Sequence, residues 1–278
     1  MKIDHIMKIC LDAGHYGKYN QSPVNKAYWE SEFTWKFHLL LKSELERYGV
    51  EVITTRADQT KDLALISRGK KAQGCDLFLS IHSNACNSES ADHPLACCCI
   101  SGKCDVLGLE IAQTVQRVMG CKQPGRITKK KGDYGNYDWY SVLHGAAQVG
   151  VPGILMEHGF HTNRANTEWL LKNENLQKLA EAEAATIAAY YGLAKNPDSG
   201  RTPAADPQQD NSFRVKVVCS ELNIRKGVGT GFPIATVVHR GEVYTIVETC
   251  KAPDGGLWGR LKSGAGWINI SAKYVKRV

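Results

Sequence analysis

The sequence lacks a long apolar run. In 278 residues, no segment approaches the roughly eighteen consecutive apolar residues that a membrane-spanning helix requires, so we predict no membrane span. The N-terminal stretch MKIDHIMKICLDAGH also lacks the long apolar region and the small-residue cleavage site of a signal peptide. These absences predict a protein that is made and folded in the cytoplasm without a signal peptide, and its 43% hydrophobic residues are enough for a substantial core.

The cysteines lack the spacing of a zinc finger. Ten cysteines are present, but no second CxxC or Cys/His pair accompanies those at 97–104, which disfavours a structural zinc site there. The consecutive residues Cys97, Cys98 and Cys99 cannot easily form independent disulfides, because each bridge needs its own geometry. We therefore predict mostly free, half-buried thiols.

The C-terminal part has little acidic charge. Residues 212–278 carry 11 Lys and Arg against 4 Asp and Glu, whereas residues 1–194 carry 22 against 21. The net charge of +7 therefore resides in the last part, which indicates an anionic partner there, although ordinary solubility explains it equally well. Aromatic residues that could stack on bases are few in this part, which disfavours a nucleic-acid partner.

Two regions of different pattern flank a polar, proline-containing stretch. Residues 195–211 lack apolar periodicity and are predicted to be an exposed linker. Residues 1–194 alternate short apolar runs with amphipathic helical patterns, which predicts an α/β domain whose largely parallel sheet carries helices on both faces. Residues 212–278 contain short strand patterns separated by turn residues, which predicts a small all-β barrel. The strands predicted before the linker are 7–11, 50–55, 76–81, 96–100 and 151–157, and the helices are 33–48, 104–119 and 166–191.

One carboxylate lies where burial is costly. Glu157 ends an apolar run in the segment ILMEHGFHTN, residues 154–163. Burying a charged group is unfavourable unless it is paired. Glu157 is therefore either held by a cation, for which Arg56 and Arg68 are candidates, or it takes part in chemistry.

Two histidines follow predicted strands at equivalent places. His15 comes after the first strand and His82 after the third, and the carboxyl ends of parallel strands meet at one edge of the sheet. Either histidine alone is more often structural, but the pair favours a metal site. A catalytic zinc takes three protein ligands, and the third is Glu30 or Glu32 at the start of the next helix. The spacing of these residues leaves that choice open.

Several motifs occur in the order found in one enzyme family. These are LDAGHYG, the Glu-led helix start, TTRAD with LALISR, LFLSIHSNA, and GILMEHGFHTN. In this order they resemble the zinc-dependent N-acetylmuramoyl-L-alanine amidases of type 3, over residues 7–191. Residues 213–278 are similar to a bacterial SH3-type wall-binding domain, through ELNIRKGVGT, LWGRLK and AGWINI.

The resemblance implies specific roles. His15, Glu30 and His82 would be zinc ligands, Glu157 would be the catalytic carboxylate, and Glu32 would be a non-ligand. The implied reaction is hydrolysis of the amide between N-acetylmuramic acid and L-alanine in peptidoglycan. Alternatives are a zinc peptidase that cuts within the stem peptide and a non-catalytic wall-binding protein. The absence of an export signal favours a phage-type endolysin, which acts on the wall after its release, over an autolysin.

The sequence departs from the family pattern at several places. His158 follows the catalytic position, where an apolar or small residue is common, and strand alternation predicts that its side chain points away from Glu157. The segments 86–104 and 126–140 match no family motif. His161 and His144 are predicted to lie at the rim of the site.

Overall fold

The computed structural model describes residues 6–59, 61–195, 212–252 and 255–278. The chain divides into two compact units, Met1–Ala204 and Ala205–Val278. Apart from Lys195, the predicted linker lies outside the described residues. The assigned boundaries and roles of 1–194, 195–211 and 212–278 stay predictions.

A six-stranded sheet forms the centre of the first unit. Its spatial order is β2-β1-β3-β6-β4-β5, and only the β4–β6 pairing is antiparallel. The predicted α/β class is confirmed, with the correction that the sheet is mixed. The strands are β1 Lys8–Ala13, β2 Glu51–Thr54, β3 Leu77–Asn84, β4 Leu95–Cys98, β5 Arg126–Thr128 and β6 Gly153–Phe160.

Helices cover both faces of this sheet, as predicted. Successive strand residues enter different cores: Ile9 and Leu11 pack in one cluster, whereas Cys10 packs in the other. Alternation of this kind is expected because neighbouring residues of a strand point to opposite faces. Helices α1, α3 and α6 contribute to the first cluster, and α4 contributes to the second. The helices are α1 Glu30–Glu46, α2 Leu65–Lys70, α3 Asp105–Met119, α4 Ser141–Gln148, α5 Arg164–Leu170 and α6 Asn173–Tyr190.

Several short elements differ from the sequence-based expectation. The predicted helix over 166–191 is two helices, because Lys172 is extended, with φ −88° and ψ 118°, and interrupts the helical ladder. Strand β5 and helix α4 were not predicted, since three and eight residues are too short to establish a clear periodicity. Among the described helices, none has the length and apolarity needed to cross a bilayer.

The second unit is an antiparallel all-β sheet. Its spatial order is β13-β7-β10-β11-β12-β8-β9, around a core that includes Val215, Ile246 and Ile268. The all-β class is confirmed, whereas closure into an SH3-type barrel stays a prediction. The strands are β7 Phe213–Val217, β8 Glu221–Arg225, β9 Ile234–His239, β10 Val243–Lys251, β11 Leu257–Leu261, β12 Trp267–Asn269 and β13 Val275–Arg277. The sequence pattern predicts strands at 214–218, 233–239, 242–249, 257–262 and 266–270, and it misses β8 and β13.

Candidate active site

The carboxyl ends of β1 and β3 bring two histidines together. These strands are parallel neighbours, with Ala13 opposite Ile81, so His15 and His82 emerge at the same edge of the sheet. Their ring centroids lie 4.9 Å apart. This is the arrangement that the predicted strand ends implied.

Glu30 completes a group of three possible metal ligands. One ligand atom from each of His15, Glu30 and His82 lies within 4.8 Å of the others. Glu30 Oε2 is 3.1 Å from His15 Nε2, and Glu30 Oε1 is 3.0 Å from His82 Nδ1. Within the described ranges, no other set of three His, Cys, Asp or Glu residues meets in this way. Glu32 lies beside a separate, much smaller pocket.

The loop after β1 holds His15 in a constrained conformation. His15 and Asn20 have φ of 61° and 53°, a left-handed region that is costly for residues other than glycine. Arg68 Nη2 donates to the His15 carbonyl oxygen at 2.9 Å, and Asn20 Nδ2 donates to Glu30 Oε2 at 2.8 Å. The strained loop is therefore tied down at both ends, which is typical of a functional site.

Gly14 allows the loop to approach the second histidine. A Cβ atom built on Gly14 would lie 2.4 Å from His82 Cε1 and 2.6 Å from the Ile81 carbonyl oxygen. Any side chain at this position would clash with the His82 ring and with the backbone of Ile81, so one of them would have to shift. The glycine in the LDAGHYG motif is therefore required by close packing within the group of ligands.

Charge is balanced inside this group. Burial alone would raise the pKa of Glu30, but its hydrogen bonds with His15 and His82 hold that pKa well below the ordinary value. Burial disfavours protonated His82, yet its hydrogen bond with Glu30 and the nearby carboxylates raise the pKa of that imidazole. The carboxylate is thus kept ionised, which is the form that binds a cation.

Glu157 lies beside the group without joining it. In the parallel pairing of β3 and β6 it is opposite His82, so both side chains project to the same face. Its Oε2 atom is buried and has no hydrogen-bond partner among the described residues. Burial raises the pKa of Glu157 to about 7, with the Glu30 carboxylate adding to the rise and the His82 imidazole opposing it.

The proposed cationic partners of Glu157 are engaged elsewhere. Arg68 pairs with the buried Asp12 and with Asp62, and Arg56 donates to the Ala13 carbonyl oxygen. The structural explanation of Glu157, a salt bridge to one of these arginines, is therefore wrong. The buried carboxylate remains available for chemistry.

A cavity of about 360 Å³ opens over these groups. Its volume is in the range typical of small-molecule sites. Leu65 of α2 and Val142 of α4 contribute apolar side chains to the lining of the cavity. The polar lining includes His15, Glu30, His82, Glu157, His161 and Tyr140. Concave shape, a possible cation site and an unpaired carboxylate make this the candidate active site.

The remaining histidines divide between this cavity and the core. His161 lines the cavity as predicted, and its Nδ1 lies 2.9 Å from the Ser83 carbonyl oxygen. His144 lines a different cavity, so its predicted place at this rim is wrong. His158 points away from Glu157, as predicted. Its Nδ1 lies 3.1 Å from the His82 carbonyl oxygen, and its Nε2 lies 2.8 Å from Oε1 of the buried Glu183 on α6. The His158 ring therefore links β6 to β3 and to α6.

The sequence analysis missed several supporting residues. Asp12 accepts hydrogen bonds from Thr55 and Ser80 as well as pairing with Arg68, and this buried network fixes the end of β1. Asn20 and Tyr140 were also missed. Asp12 is the one with a sequence signal, because it is a charged residue inside an apolar strand pattern.

None of the ten cysteines forms a disulfide in the part of the chain that the structure describes, in agreement with the prediction of mostly free thiols, but they are more buried than expected. Seven of them are buried, including Cys97, Cys98, Cys99 and Cys104, whereas Cys86 is exposed. Strand β4 is an interior strand of the sheet, so its side chains enter the cores on both faces. The expectation of half-buried thiols is therefore wrong for this segment.

Comparison with known proteins gives consistent matches. A family model described as N-acetylmuramoyl-L-alanine amidase matches residues 9–189. The chain is 27% identical over 241 residues to the N-acetylmuramoyl-L-alanine amidase CwlM of Bacillus licheniformis, covering 84% of this chain and 86% of the relative. It is 29% identical over 280 residues to the endolysin of Bacillus phage SPP1, covering 96% and 97%.

Solved structures with the same fold cover the first unit. The catalytic domain of CwlV, an N-acetylmuramoyl-L-alanine amidase from Bacillus (Paenibacillus) polymyxa, has a TM-score of 0.57 at 22% identity, over 68% of this chain and 100% of that domain. Cwp6 from Clostridium difficile has a TM-score of 0.59 at 24% identity, over 66% of this chain. This chain spans 29% of the length of Cwp6.

Proposed function

Since the chain belongs to the N-acetylmuramoyl-L-alanine amidase family and hydrolyses an amide bond of peptidoglycan, we propose that it does so with one zinc ion. The ligands are His15, Glu30 and His82, and the catalytic carboxylate is Glu157. The bond is the amide between N-acetylmuramic acid and the L-alanine of the stem peptide. The observation that carries this proposal is the cluster of three ligand atoms beside a buried, unpartnered carboxylate oxygen.

The three residues fit a zinc ion by chemistry and by spacing. Two imidazoles and one carboxylate form a ligand set known for catalytic zinc. Ligand bonds of about 2.0–2.1 Å in a tetrahedral site place ligand atoms about 3.4 Å apart. One ligand atom from each residue lies within 4.8 Å of the others, and each imidazole is about 3 Å from its own oxygen of the Glu30 carboxylate, at 3.1 Å for His15 and 3.0 Å for His82. When bound, zinc supplies a Lewis acid and lowers the pKa of a water molecule in contact with it towards 7.

Glu157 moves the proton in this proposal. Its Oε2 is the buried oxygen without a partner, so it is free to accept a proton from the attacking water. The same carboxyl group then returns the proton to the nitrogen of the leaving L-alanine, because an amine cannot depart as an anion. The raised pKa, about 7, lets the group both take up and release a proton near neutral pH.

Digestion of purified peptidoglycan tests which bond is cut. We expect soluble fragments whose new amino termini are L-alanine, together with glycan strands that carry free lactyl carboxylates. Labelling of new amino groups followed by mass spectrometry identifies these ends. New termini within the stem peptide would instead identify a zinc peptidase, and intact peptidoglycan would identify a non-catalytic wall-binding protein.

The second unit supports a proposal of its own. We infer that residues 212–278 form an SH3-like barrel that holds the enzyme on the anionic wall. Their sequence similarity to wall-binding domains, the antiparallel sheet and the excess of basic residues support this role. The likeness to a phage endolysin along almost the whole chain supports a phage-type lysin that acts on the wall after release.

Truncation tests the binding role. A chain ending at residue 195 is expected to sediment with purified walls at least ten-fold less than the full chain, and this difference should shrink at high salt because exposed charges are screened. Hydrolysis of a soluble muramoyl peptide should remain within about two-fold. Equal sedimentation of the two chains at low salt would exclude the proposed role.

A further inference from the structure

A short antiparallel hairpin, residues 130–139, lies between β5 and α4 in a segment that matches no family motif. The backbone N–H of Trp139 donates to the Lys130 carbonyl oxygen at 2.9 Å, which closes the base of the hairpin. The next residue, Tyr140, lines the cavity of the candidate active site. The hairpin therefore begins at the wall of that cavity, although none of its residues has a role in the proposed hydrolysis.

The two faces of the hairpin have different surroundings. Residues that are paired across antiparallel strands project to the same face, and neighbouring residues project to opposite faces. Lys131 is paired with Asp138, and both line a second cavity, of about 450 Å³, where Asp138 is buried. Lys130 and Trp139 therefore share the opposite face of the hairpin, and both side chains are exposed there.

On this exposed face an ammonium group lies over an indole ring. Lys130 Nζ is 3.5 Å from the centroid of the Trp139 ring, which is a cation–π contact. The Trp139 ring packs at 88° against the Tyr140 ring, with 5.0 Å between the centroids. The Cys97 thiol of β4 donates to the Tyr140 hydroxyl oxygen at 3.3 Å and holds that ring against the sheet. The Lys130 ammonium group is thus connected to the cavity wall through two ring contacts.

The neighbouring lysines are placed differently from Lys130. Lys129 Nζ is 2.5 Å from Asp105 Oδ2, so its charge has a partner on α3. Lys131 lines the second cavity. Lys130 forms no ion pair within the part of the chain that the structure describes, and the Trp139 side chain beneath it is 45% exposed. The run of three lysines therefore leaves one exposed positive charge beside the candidate active site.

We propose that Lys130 binds a carboxylate of the stem peptide while the amide bond to be cut occupies the active-site cavity. This inference rests on the proposed function, because it assigns a substrate contact to the same site. The stem peptide is the part of the substrate with free carboxyl groups, since the N-acetylated sugars are uncharged once the lactyl carboxyl group is in the amide. Opposite charges attract most strongly at close approach.

The ring contacts also indicate which part of the stem peptide is recognised. The ammonium group is 3.5 Å from the first ring centre, and the two ring centres are 5.0 Å apart. About two to three extended residues span these distances together, at roughly 3.3–3.6 Å per residue. The carboxylate that Lys130 binds therefore belongs to the first few residues of the stem peptide.

Kinetics on two forms of one soluble substrate test the proposal. An N-acetylmuramoyl tetrapeptide with free carboxyl groups is compared with the same peptide in which those groups are primary amides. The unsubstituted chain is expected to cut the carboxylate form with a kcat/KM about three- to ten-fold higher, mainly through a lower KM. In Lys130→Gln this preference should fall below about two-fold. High salt should reduce the preference of the unsubstituted chain, because exposed charges are screened.

Lys131→Gln is the matched control, because it removes the same charge from the adjacent residue on the other face of the hairpin. It should keep the preference of the unsubstituted chain. Equal losses on both forms in Lys130→Gln would indicate a packing role and would overturn the proposal. A preference that persists in that variant, or equal cleavage of both forms by the unsubstituted chain, would also overturn it.

The released ends separate this inference from the proposed function. Equal cleavage of the two forms with new L-alanine amino termini would remove the role of Lys130 and leave the amidase reaction in place. If neither form released such termini, the proposed function would be wrong and the role of Lys130 would fall with it. The comparison of the two substrate forms needs no variant, so a misfolded variant does not decide the outcome.

Discussion

The Glu157→Gln variant is expected to lose at least about 1,000-fold in kcat on peptidoglycan, which lies within the range that a positioned proton carrier contributes. Glutamine keeps the shape of the side chain but cannot accept a proton from water or return it to the leaving amine. Because Glu157 is not one of the three clustered residues, we expect the variant to bind one zinc ion per chain, as we expect of the unsubstituted protein. Release of new amino termini measures kcat, and elemental analysis measures zinc.

Glu32→Gln is the matched control for this substitution. Both changes convert a carboxylate to an amide, and Glu32 lies only two residues from a proposed ligand, so sequence spacing alone does not separate it from Glu30. Activity of the control is expected within about two-fold of the unsubstituted enzyme. If Glu157→Gln kept more than a tenth of the activity, the proposed proton carrier would be wrong.

The stability of the Glu157 variant gives an independent check on folding. The pKa of Glu157 is raised in the metal-free fold, so the ionised carboxylate destabilises that fold at pH values above about 7. Glutamine removes this cost. The melting temperature of the metal-free variant at pH 8 should therefore equal or exceed that of the unsubstituted protein, and loss of activity could not be assigned to unfolding.

The sequence predicted the positions of those site residues that lie at the ends of predicted strands. His15 and His82 could be placed together because both follow strands that are parallel neighbours, and Glu157 could be singled out as a carboxylate in an apolar run. The choice between Glu30 and Glu32 was not accessible from spacing. The choice depends on the loop after β1, in which His15 and Asn20 adopt left-handed backbone conformations. This loop places the side-chain amide of Asn20 where it donates a hydrogen bond to Glu30.

The parts of the fold that the sequence did not reveal depend on contacts between distant residues. Strand β4 was recognised from its apolar composition, but its antiparallel direction is set by its pairing with β6, which a local pattern does not encode. The short helix α4 is defined by packing against α2, where Gly69 and Gly145 permit close backbone approach. The sequence pattern also made Arg68 a candidate partner for Glu157, but in the structure Arg68 forms an ion pair with Asp12. This pairing joins residues that are far apart in the chain, so a local pattern does not reveal it.

Removal of Glu30, the third proposed ligand, is expected to have the second large effect. Glu30→Ala should weaken zinc binding at least about 100-fold and abolish detectable hydrolysis, because a catalytic zinc site with two protein ligands is incomplete. Titration against a fluorescent chelator measures the affinity. Removal of zinc from the unsubstituted enzyme with a chelator should likewise abolish hydrolysis, and added zinc should restore it.

Asn20→Ala provides a graded comparison for this substitution. Asn20 Nδ2 donates to Glu30 Oε2 at 2.8 Å and lies 3.3 Å from His15 Nε2, so it orients two of the proposed ligands without belonging to the proposed set. Loss of such a neighbour typically weakens metal binding about 10- to 100-fold, and excess zinc should rescue its activity. Glu30→Ala should not be rescued in this way. If Glu30→Ala kept both zinc and activity, the carboxylate ligand would have to be another residue.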